Sequence, residues 1–236
     1  MEKREKILVV TAGGSGTRMG ADIPKQFLEI GGKAILQLTI ERFLEADPAI
    51  KVVTVLPEAH IEYWKSYCYK HSFICPQRLV KGGFTRFHSV KNALRKIPDG
   101  ALVAIHDGVR PLVSAEKINE LFDLAQTCPA VIPVTPVTDT LKVLSKKKLP
   151  DGSVAYEPIP GASVDRSVIF GAQTPQIFHS EILKEAYRQP FDQMFTDDAS
   201  VVAKKEMPLT YVLGERLNIK ITTPEDLVLA KAIMSI

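Results

Sequence analysis

Three short stretches of this chain gather glycines, cations and a carboxylate, the groups that hold polyphosphates. The first runs Thr11-Ala12-Gly13-Gly14-Ser15-Gly16-Thr17-Arg18-Met19 and leads to Pro24-Lys25-Gln26. Its glycines let the backbone pass close to an anion and point successive N–H groups at it. Arg18 and Lys25 then supply positive charge a few residues on. The Gly-Lys-Ser/Thr ending of a P-loop is missing, and Met19 stands where a dinucleotide fingerprint needs glycine. The plainer alternative is a tight turn with solvated charges.

The second stretch is Lys81-Gly82-Gly83-Phe84-Thr85-Arg86-Phe87-His88-Ser89-Val90. A helix starting near Thr85 places Arg86 and Ser89 on one face at i,i+3, with Val90 and Leu94 turned inward. The glycine pair lets an anion approach the helix N-terminus. An ordinary strand-to-helix turn would look the same. The third, His106-Asp107-Gly108-Val109-Arg110-Pro111, follows an apolar strand. In open α/β sheets ligands bind at the carboxyl ends of strands. There Asp107 can meet Mg²⁺ and Arg110 a phosphate, unless Asp107 merely forms an Asp-Gly turn. His106 reads as a packed or capping residue rather than a catalyst. Near the C-terminus a predicted strand, Ile219 to Ile221, puts Asn218, Lys220 and Thr222 on one face. A lysine at the end of a buried strand calls for an anionic partner.

The sequence holds no His-Glu-x-x-His, no Gly-x-Ser-x-Gly and no cysteine with an evident base. Nucleotidyl transfer needs none of them, because its catalysis is positioning and charge neutralisation. A phosphate monoester, with a second pKa of about 6, is already a nucleophile at neutral pH. These residues therefore point to an enzyme that joins a nucleoside monophosphate, taken from a triphosphate, to a small phosphorylated substrate.

The elements that must position them follow an alternating rhythm. Strands are predicted at Ile7 to Val10, Lys51 to Leu56, Arg78 to Val80, Ala101 to Ile105 and Ala130 to Val134. Helices are predicted at Ile35 to Leu44, after Pro57, at Arg86 to Leu94 and at Ala115 to Ala125. That pattern gives an α/β fold, a mostly parallel twisted sheet with helices on both faces, nucleotidyltransferase-like and Rossmann-type. The rhythm breaks between about Val137 and Phe178. There Leu141 to Leu144 and Val154 to Ile159 resemble a hairpin, with Lys146 to Gly152 as a basic turn. Too apolar-poor for its own core, the segment of about 137–170 should protrude as a β-arm or pack on a partner. Helices near Ser180 to Tyr187 and Ala199 to Ala203, a strand at Tyr211 to Leu213 and a helix capped by Thr223-Pro224 complete a single domain, 1–236.

At 236 residues, 45% of them hydrophobic, the chain can bury a core without disulfides or a structural metal. A net charge of +3 is too slight for a nucleic-acid binder. No apolar run reaches the roughly 20 residues of a membrane helix, and the N-terminus lacks a signal peptide's apolar region. With three cysteines lacking metal-ligand spacing, a cytoplasmic location is expected.

Taken together the motifs resemble the 2-C-methyl-D-erythritol 4-phosphate cytidylyltransferases of the non-mevalonate isoprenoid pathway. The resemblance rests on the glycine loop with Pro24-Lys25-Gln26, Gly82-Gly83 with Arg86 and Ser89, and His106-Asp107 with Arg110-Pro111. It continues through Pro136-Val137-Thr138-Asp139-Thr140, Val164-Asp165-Arg166, Gln173-Thr174-Pro175-Gln176, Thr196-Asp197-Asp198-Ala199-Ser200 and Asn218-Ile219-Lys220, in order across the chain. It implies that CTP and a sugar-alcohol phosphate react, with Mg²⁺ or another divalent cation accompanying CTP. It also implies that Ala12, Gly13, Gly14, Ser15 and Gly16 wrap the triphosphate, with Arg18 and Lys25 stabilising the charged phosphorus. Arg86, Ser89 and Asp107 would lie near the nucleotide, Asp107 at the metal. Arg166 and Lys220 would hold the substrate phosphate, helped by Arg110, Thr140 and Thr174. The arm would exchange between subunits of a homodimer, so that Arg166 serves the partner's site.

Two positions depart from the family pattern. Val109 is bulkier than the usual small residue, and Leu217 precedes Asn218 where some members carry an acid. A ribitol 5-phosphate cytidylyltransferase would share the nucleotide half, but Asp139-Thr140, Val164-Asp165-Arg166 and Thr196 to Ala199 follow the methylerythritol pattern more closely. A non-catalytic nucleotide-binding regulatory module could dispense with some of Arg18, Lys25, Asp107 and Lys220, all of which are present. An NAD-dependent oxidoreductase has the wrong glycine register.

Overall fold

A computed structural model describes residues 4–14 and 23–235. Its main sheet is built from β1 (Lys6–Thr11), β4 (Lys51–Leu56), β5 (Gln77–Lys81), β6 (Leu102–Asp107) and β7 (Ala130–Pro136), joined by β10 (Phe170–Ala172), β11 (Gln176–His179) and β12 (Thr210–Leu213). Strands β5, β4, β1 and β6 lie side by side and parallel, as the alternating pattern predicts. Next comes β11, antiparallel to β6 and to the start of β7. β10 pairs antiparallel with the end of β7, while β12 runs parallel to β7 over Val131 to Val134. A strand has two edges, so β10 and β11 share one edge of β7 and β12 takes the other. Two short pairs stand apart: β2 (Glu29–Ile30) with β3 (Lys33–Ala34), and β8 (Leu144–Lys148) with β9 (Val154–Pro158).

Both faces of the central strands β1, β4 and β6 are buried, which explains their near-continuous apolar runs. Ile7, Val9, Val53, Val55, Val103 and Ile105 pack against α3 (Arg86–Leu94), α5 (Ser180–Ala186) and α6 (Asp198–Ala203). Leu8, Val10, Val52, Leu102 and Ala104 meet α1 (Ile35–Ala46), α2 (Glu58–Lys70) and α4 (Ala115–Leu124) on the other face. The odd–even division is the two-residue period of a strand made visible. The last helix, α7 (Pro224–Met234), carries Ala230 and Leu227 onto a third cluster with Ile30, Ile35 and Leu38. Thr223 caps it with a reciprocal bond to Asp226, and Pro224 fills the first turn, where its missing N–H costs nothing. Among the described residues no helix is long and apolar enough to cross a membrane.

Three sequence expectations need correction. Ile219 to Ile221 forms no strand: the Ile221 N–H donates to Val109 O at 2.9 Å, and Asn218 N–H turns back to Glu215 O. These backbone groups are satisfied by loops rather than by a ladder. In the arm, Lys146 to Lys148 belongs to a strand, paired with Val154 to Tyr156, and the turn is displaced to 149–153; Leu141 to Val143 is not a strand. The break in rhythm also hid β10 and β11, which return to the main sheet. β11 has four residues, too few to show a period.

Candidate active site

The chemistry-bearing segments meet at the carboxyl end of the sheet. A cavity of about 260 Å³ is bordered there by Ala12, Gly13 and Gly14 after β1, by Gly83 to Arg86 and Ser89 at the start of α3, and by Lys25, Asp107 and Lys220. A larger hollow, about 800 Å³, lies at the opposite ends of β1, β4 and β5 around Ile50, Val52, Gln77 and Pro76. It lacks a converging set of buried charges, so the smaller cavity is the candidate site.

Each wall is fixed by identifiable bonds. After Pro24 the chain makes one 3-10 turn, Lys25–Phe27, and the buried Gln26 donates its amide to Ala12 O at 2.8 Å. That tie holds the turn to the end of β1. Lys25 Cε lies 3.6 Å from the point a Cβ on Gly14 would occupy, so the lysine runs alongside the glycine turn. Across the cavity, Thr85 caps α3 and Ser89 Oγ accepts the Gly83 N–H at 3.0 Å while donating to Thr85 O. Ser89 is thus committed to shaping the Gly-Gly turn. A Cβ on Gly108 would stand 3.1 Å from both Ala12 Cβ and Leu36 Cδ1, so only glycine lets the ends of β1 and β6 close together without a shift.

Asp107 is the electrostatic centre. Its Oδ2 lies 3.0 Å from Lys220 Nζ and 3.2 Å from Arg110 Nε, and its Oδ1 is 3.8 Å from Arg86 Nε. Burial pushes the carboxyl up, but Arg86, Lys220 and Arg110 outweigh it and hold it well below the usual carboxylate range. Asp107 is therefore ionised. Arg110 also donates to Asn218 O at 2.7 Å, which draws the Lys220 loop onto the turn after β6. Asn218 is 1% exposed; its Nδ2 donates to Thr174 O, and among the described residues its Oδ1 has no partner.

Beneath Asp107 lies a small relay. His106 Nε2 faces the carbonyl of Arg110 at 3.1 Å, so that nitrogen carries the proton. The Thr174 hydroxyl accepts the Asp107 N–H at 3.1 Å and donates to His106 Nδ1 at 3.0 Å. Burial pushes the His106 imidazole down to about 4, against a smaller opposing effect of the Arg110 carbonyl. His106 is neutral and structural. Thr174, expected from the resemblance at the substrate, has its hydroxyl spent on holding this turn and is 5% exposed.

The remaining expected residues divide into two groups. Ser15, Gly16 and Arg18 lie outside the described residues. Thr140 and Arg166 are exposed and do not border the cavity of their own chain; Arg166 Nη1 donates to Thr138 O at 2.6 Å. Sequence reasoning gave no role to Asp198, yet its carboxylate is fully buried and bonds Arg86 Nη2 at 2.5 Å. The signal was the pair Asp197-Asp198 at a helix start. One such residue caps, as Asp197 does, and spacing alone does not reveal that the second turns inward.

A doubly covered α/β sheet with a glycine turn and several cations converging at its carboxyl edge suits a nucleotidyltransferase. Comparison with known proteins narrows this. Residues 6–236 match the family model for 2-C-methyl-D-erythritol 4-phosphate cytidylyltransferase, IspD. A Porphyromonas gingivalis protein of that name is 47% identical over 234 residues, covering 99% of each chain. One from Bacteroides thetaiotaomicron is 44% identical over 96% of this chain and 98% of its own. The crystal structure of a 4-diphosphocytidyl-2C-methyl-D-erythritol synthase from Anaerococcus prevotii superposes with a TM-score of 0.77 at 27% identity, covering all of both chains. The chain belongs to the 2-C-methyl-D-erythritol 4-phosphate cytidylyltransferase family.

Proposed function

We propose that the chain catalyses attack by 2-C-methyl-D-erythritol 4-phosphate on CTP, giving 4-diphosphocytidyl-2-C-methyl-D-erythritol and pyrophosphate for isoprenoid precursor synthesis. A phosphate oxygen of the sugar alcohol bonds to the α-phosphorus of CTP. The bond from that phosphorus to the bridging oxygen breaks, and the electron pair leaves on pyrophosphate. The convergence of Lys25, Arg86 and Lys220 with the glycine turn on one cavity carries the proposal. Such an arrangement neutralises a crowded polyanion without any general base.

In this scheme the N–H groups after Ala12 cradle the triphosphate, and Lys25, with Arg18, meets charge that grows in the transition state. Arg86 stands at the nucleotide, Lys220 and Arg110 at the incoming phosphate, and Ser89 and Thr174 keep the surrounding turns in shape. Among the described residues no group of three His, Cys, Asp or Glu side chains could hold a metal. A single carboxylate is nevertheless what Mg²⁺ needs when the nucleotide supplies the other oxygens. Asp107 would be that ligand, and the ion would supply further neutralisation of phosphate charge.

The arm supports a homodimer. Leu144, Val154, Tyr156 and Ile159 are exposed on a two-stranded hairpin, and a lone hairpin is marginal in water. A second copy would cover it and receive Arg166 and Thr140 at its own site. The three thiols, none in a disulfide, support a cytoplasmic location. The deciding experiment is pyrophosphate release from CTP with methylerythritol phosphate and ribitol phosphate offered in parallel. Turnover restricted to the first is expected; preference for ribitol phosphate would overturn the substrate assignment.

A further inference from the structure

Arg86 bridges two carboxylates of different kinds. Asp107 faces the cavity and stands 3.8 Å from Arg86 Nε, beyond hydrogen-bond distance. Asp198 lies behind, with no exposed surface, and its Oδ2 accepts Arg86 Nη2 at 2.5 Å. The other Asp198 oxygen accepts the Tyr187 hydroxyl, itself buried at the end of α5. The backbone around Asp198 is equally constrained. Asp197 caps α6 in a reciprocal box with Ser200, Gln176 on β11 donates to Asp197 Oδ2 at 2.7 Å, and Gln176 Oε1 accepts the Ala199 N–H. The anchor is therefore tied to the sheet, while Arg86 itself retains 29% side-chain exposure toward the cavity.

We infer that Asp198, braced by Tyr187, is a positioning residue for the nucleotide: it fixes the Arg86 guanidinium in the cavity wall. An arginine held by one buried carboxylate loses little side-chain freedom when a phosphate or ribose group arrives. Without that carboxylate, Arg86 would have Asp107 as its remaining acidic partner and would swing toward it, into the space the ligand needs. Asp198 thus acts through Arg86 and touches no substrate. Asparagine at this position is not equivalent to aspartate, because an amide facing Arg86 presents no charge and can turn a donor toward a donor.

The inference rests on the nucleotide reading of the cavity, and the test separates the two. CTP binding to the full-length protein is measured by calorimetry, without the sugar phosphate, for wild type, Asp198→Asn, Tyr187→Phe, Arg86→Gln and the double variants with Arg86→Gln. Asp198→Asn should weaken CTP about tenfold, the scale of one charge-assisted hydrogen bond, and Tyr187→Phe by a smaller factor. Both effects should vanish, to within about twofold, in the Arg86→Gln background, since coupled residues are not additive. In steady state the KM for CTP should rise while the KM for the sugar-alcohol phosphate holds, a split that general loosening would not produce. Multiplying effects in the double variants, or wild-type CTP affinity in folded Asp198→Asn, would overturn the inference. Should Asp198→Asn fail to fold, Tyr187→Phe decides, because it keeps the ion pair: unchanged affinity there also overturns it. Wild-type protein that binds no CTP would remove the nucleotide reading itself.

Discussion

Gly83→Ala should cost stability, and the cost can be worked from the structure. An ideal Cβ at this position would lie 2.4 Å from His88 Cβ, 2.9 Å from His88 C and 3.2 Å from His88 Cα. Ordinary carbon contacts begin near about 3.5 Å, so roughly 1 Å of displacement is required. His88 cannot provide it, since the obstruction is helix backbone and Cβ rather than a flexible tip, and neighbouring Phe87 and Val90 lock α3 into the core. The turn must move instead, straining the bond from Gly83 N–H to Ser89 Oγ. Overpacking of this kind costs about 1–3 kcal/mol, and a lost hydrogen bond about 1 more. Replacing glycine gives back about 0.4–1 kcal/mol by restricting the unfolded chain, because Gly83 is not among the positive-φ glycines. The net loss should be about 1–3.5 kcal/mol. Gly13→Ala is the control, its Cβ meeting nothing closer than Ser89 Oγ at 4.0 Å. It should fold as well as wild type but bind CTP more weakly, its methyl entering the cavity. Urea midpoints at constant m-value read the first effect and calorimetry the second. Equal midpoints for Gly83→Ala and wild type would refute the steric reasoning.

Lys25→Ala should lower turnover by about a hundredfold or more while changing CTP affinity much less, because its charge acts mainly in the transition state. An unchanged kcat in rapid-quench assays removes it from the mechanism. Arg166→Ala and Lys25→Ala proteins, each nearly inactive, should regain activity after subunit exchange if the arm completes the partner's site. No recovery in verified heterodimers counts against the exchange. Stability should fall as pH drops from about 6.5 toward about 4, where the unfolded chain protonates its imidazole and buried His106 does not. Because the unfolded state then binds the extra proton, the loss approaches about 3 kcal/mol at the lower end. In His106→Gln that part of the slope should disappear from urea unfolding curves at pH 7, 5.5 and 4.5. An identical slope would show that another group is responsible.

Strands β1, β4, β5 and β6 and their helices were legible because both signals were strong, whereas β2 and β3, of two residues each, were too short to show one. β1, β4 and β6 are runs of mostly buried, mostly apolar residues, β5 is marked by Leu79 and Val80, and Thr85 and Ser114 cap helices where side-chain oxygens were available. What escaped were elements defined by their partners. β11 has four residues and is a strand because β6 and β7 flank it. Ile219 to Ile221 has the composition of a strand, yet Val109 and Arg110 claim the adjoining backbone groups before any ladder forms. The site shows the same division. Gly82-Gly83, Arg86, Asp107, Asn218 and Lys220 could be singled out by residue type, but that Asp198 and Asn218 act from below the surface could not. Their importance lies in long-range bonds, Asp198 to Arg86 and Asn218 to Thr174, that no local spacing encodes.

The position of Asp107 bears on how the cage survives without substrate. Arg86, Arg110 and Lys220 all contact one carboxylate. Two like charges about 4 Å apart repel by about 4 kcal/mol at an effective dielectric of 20, enough to splay three long side chains apart. One ionised Asp107 among them offsets much of that repulsion and keeps their heads together, where the proposed reaction needs a phosphate. Asp198 performs the same service for the far side of Arg86. Under the proposed function, polyphosphate oxygens would replace the cavity-facing contacts of Asp107, while the buried contacts of Asp198 would stay. Binding would then exchange partners instead of assembling a site, which is the low-reorganisation condition that electrostatic catalysis requires.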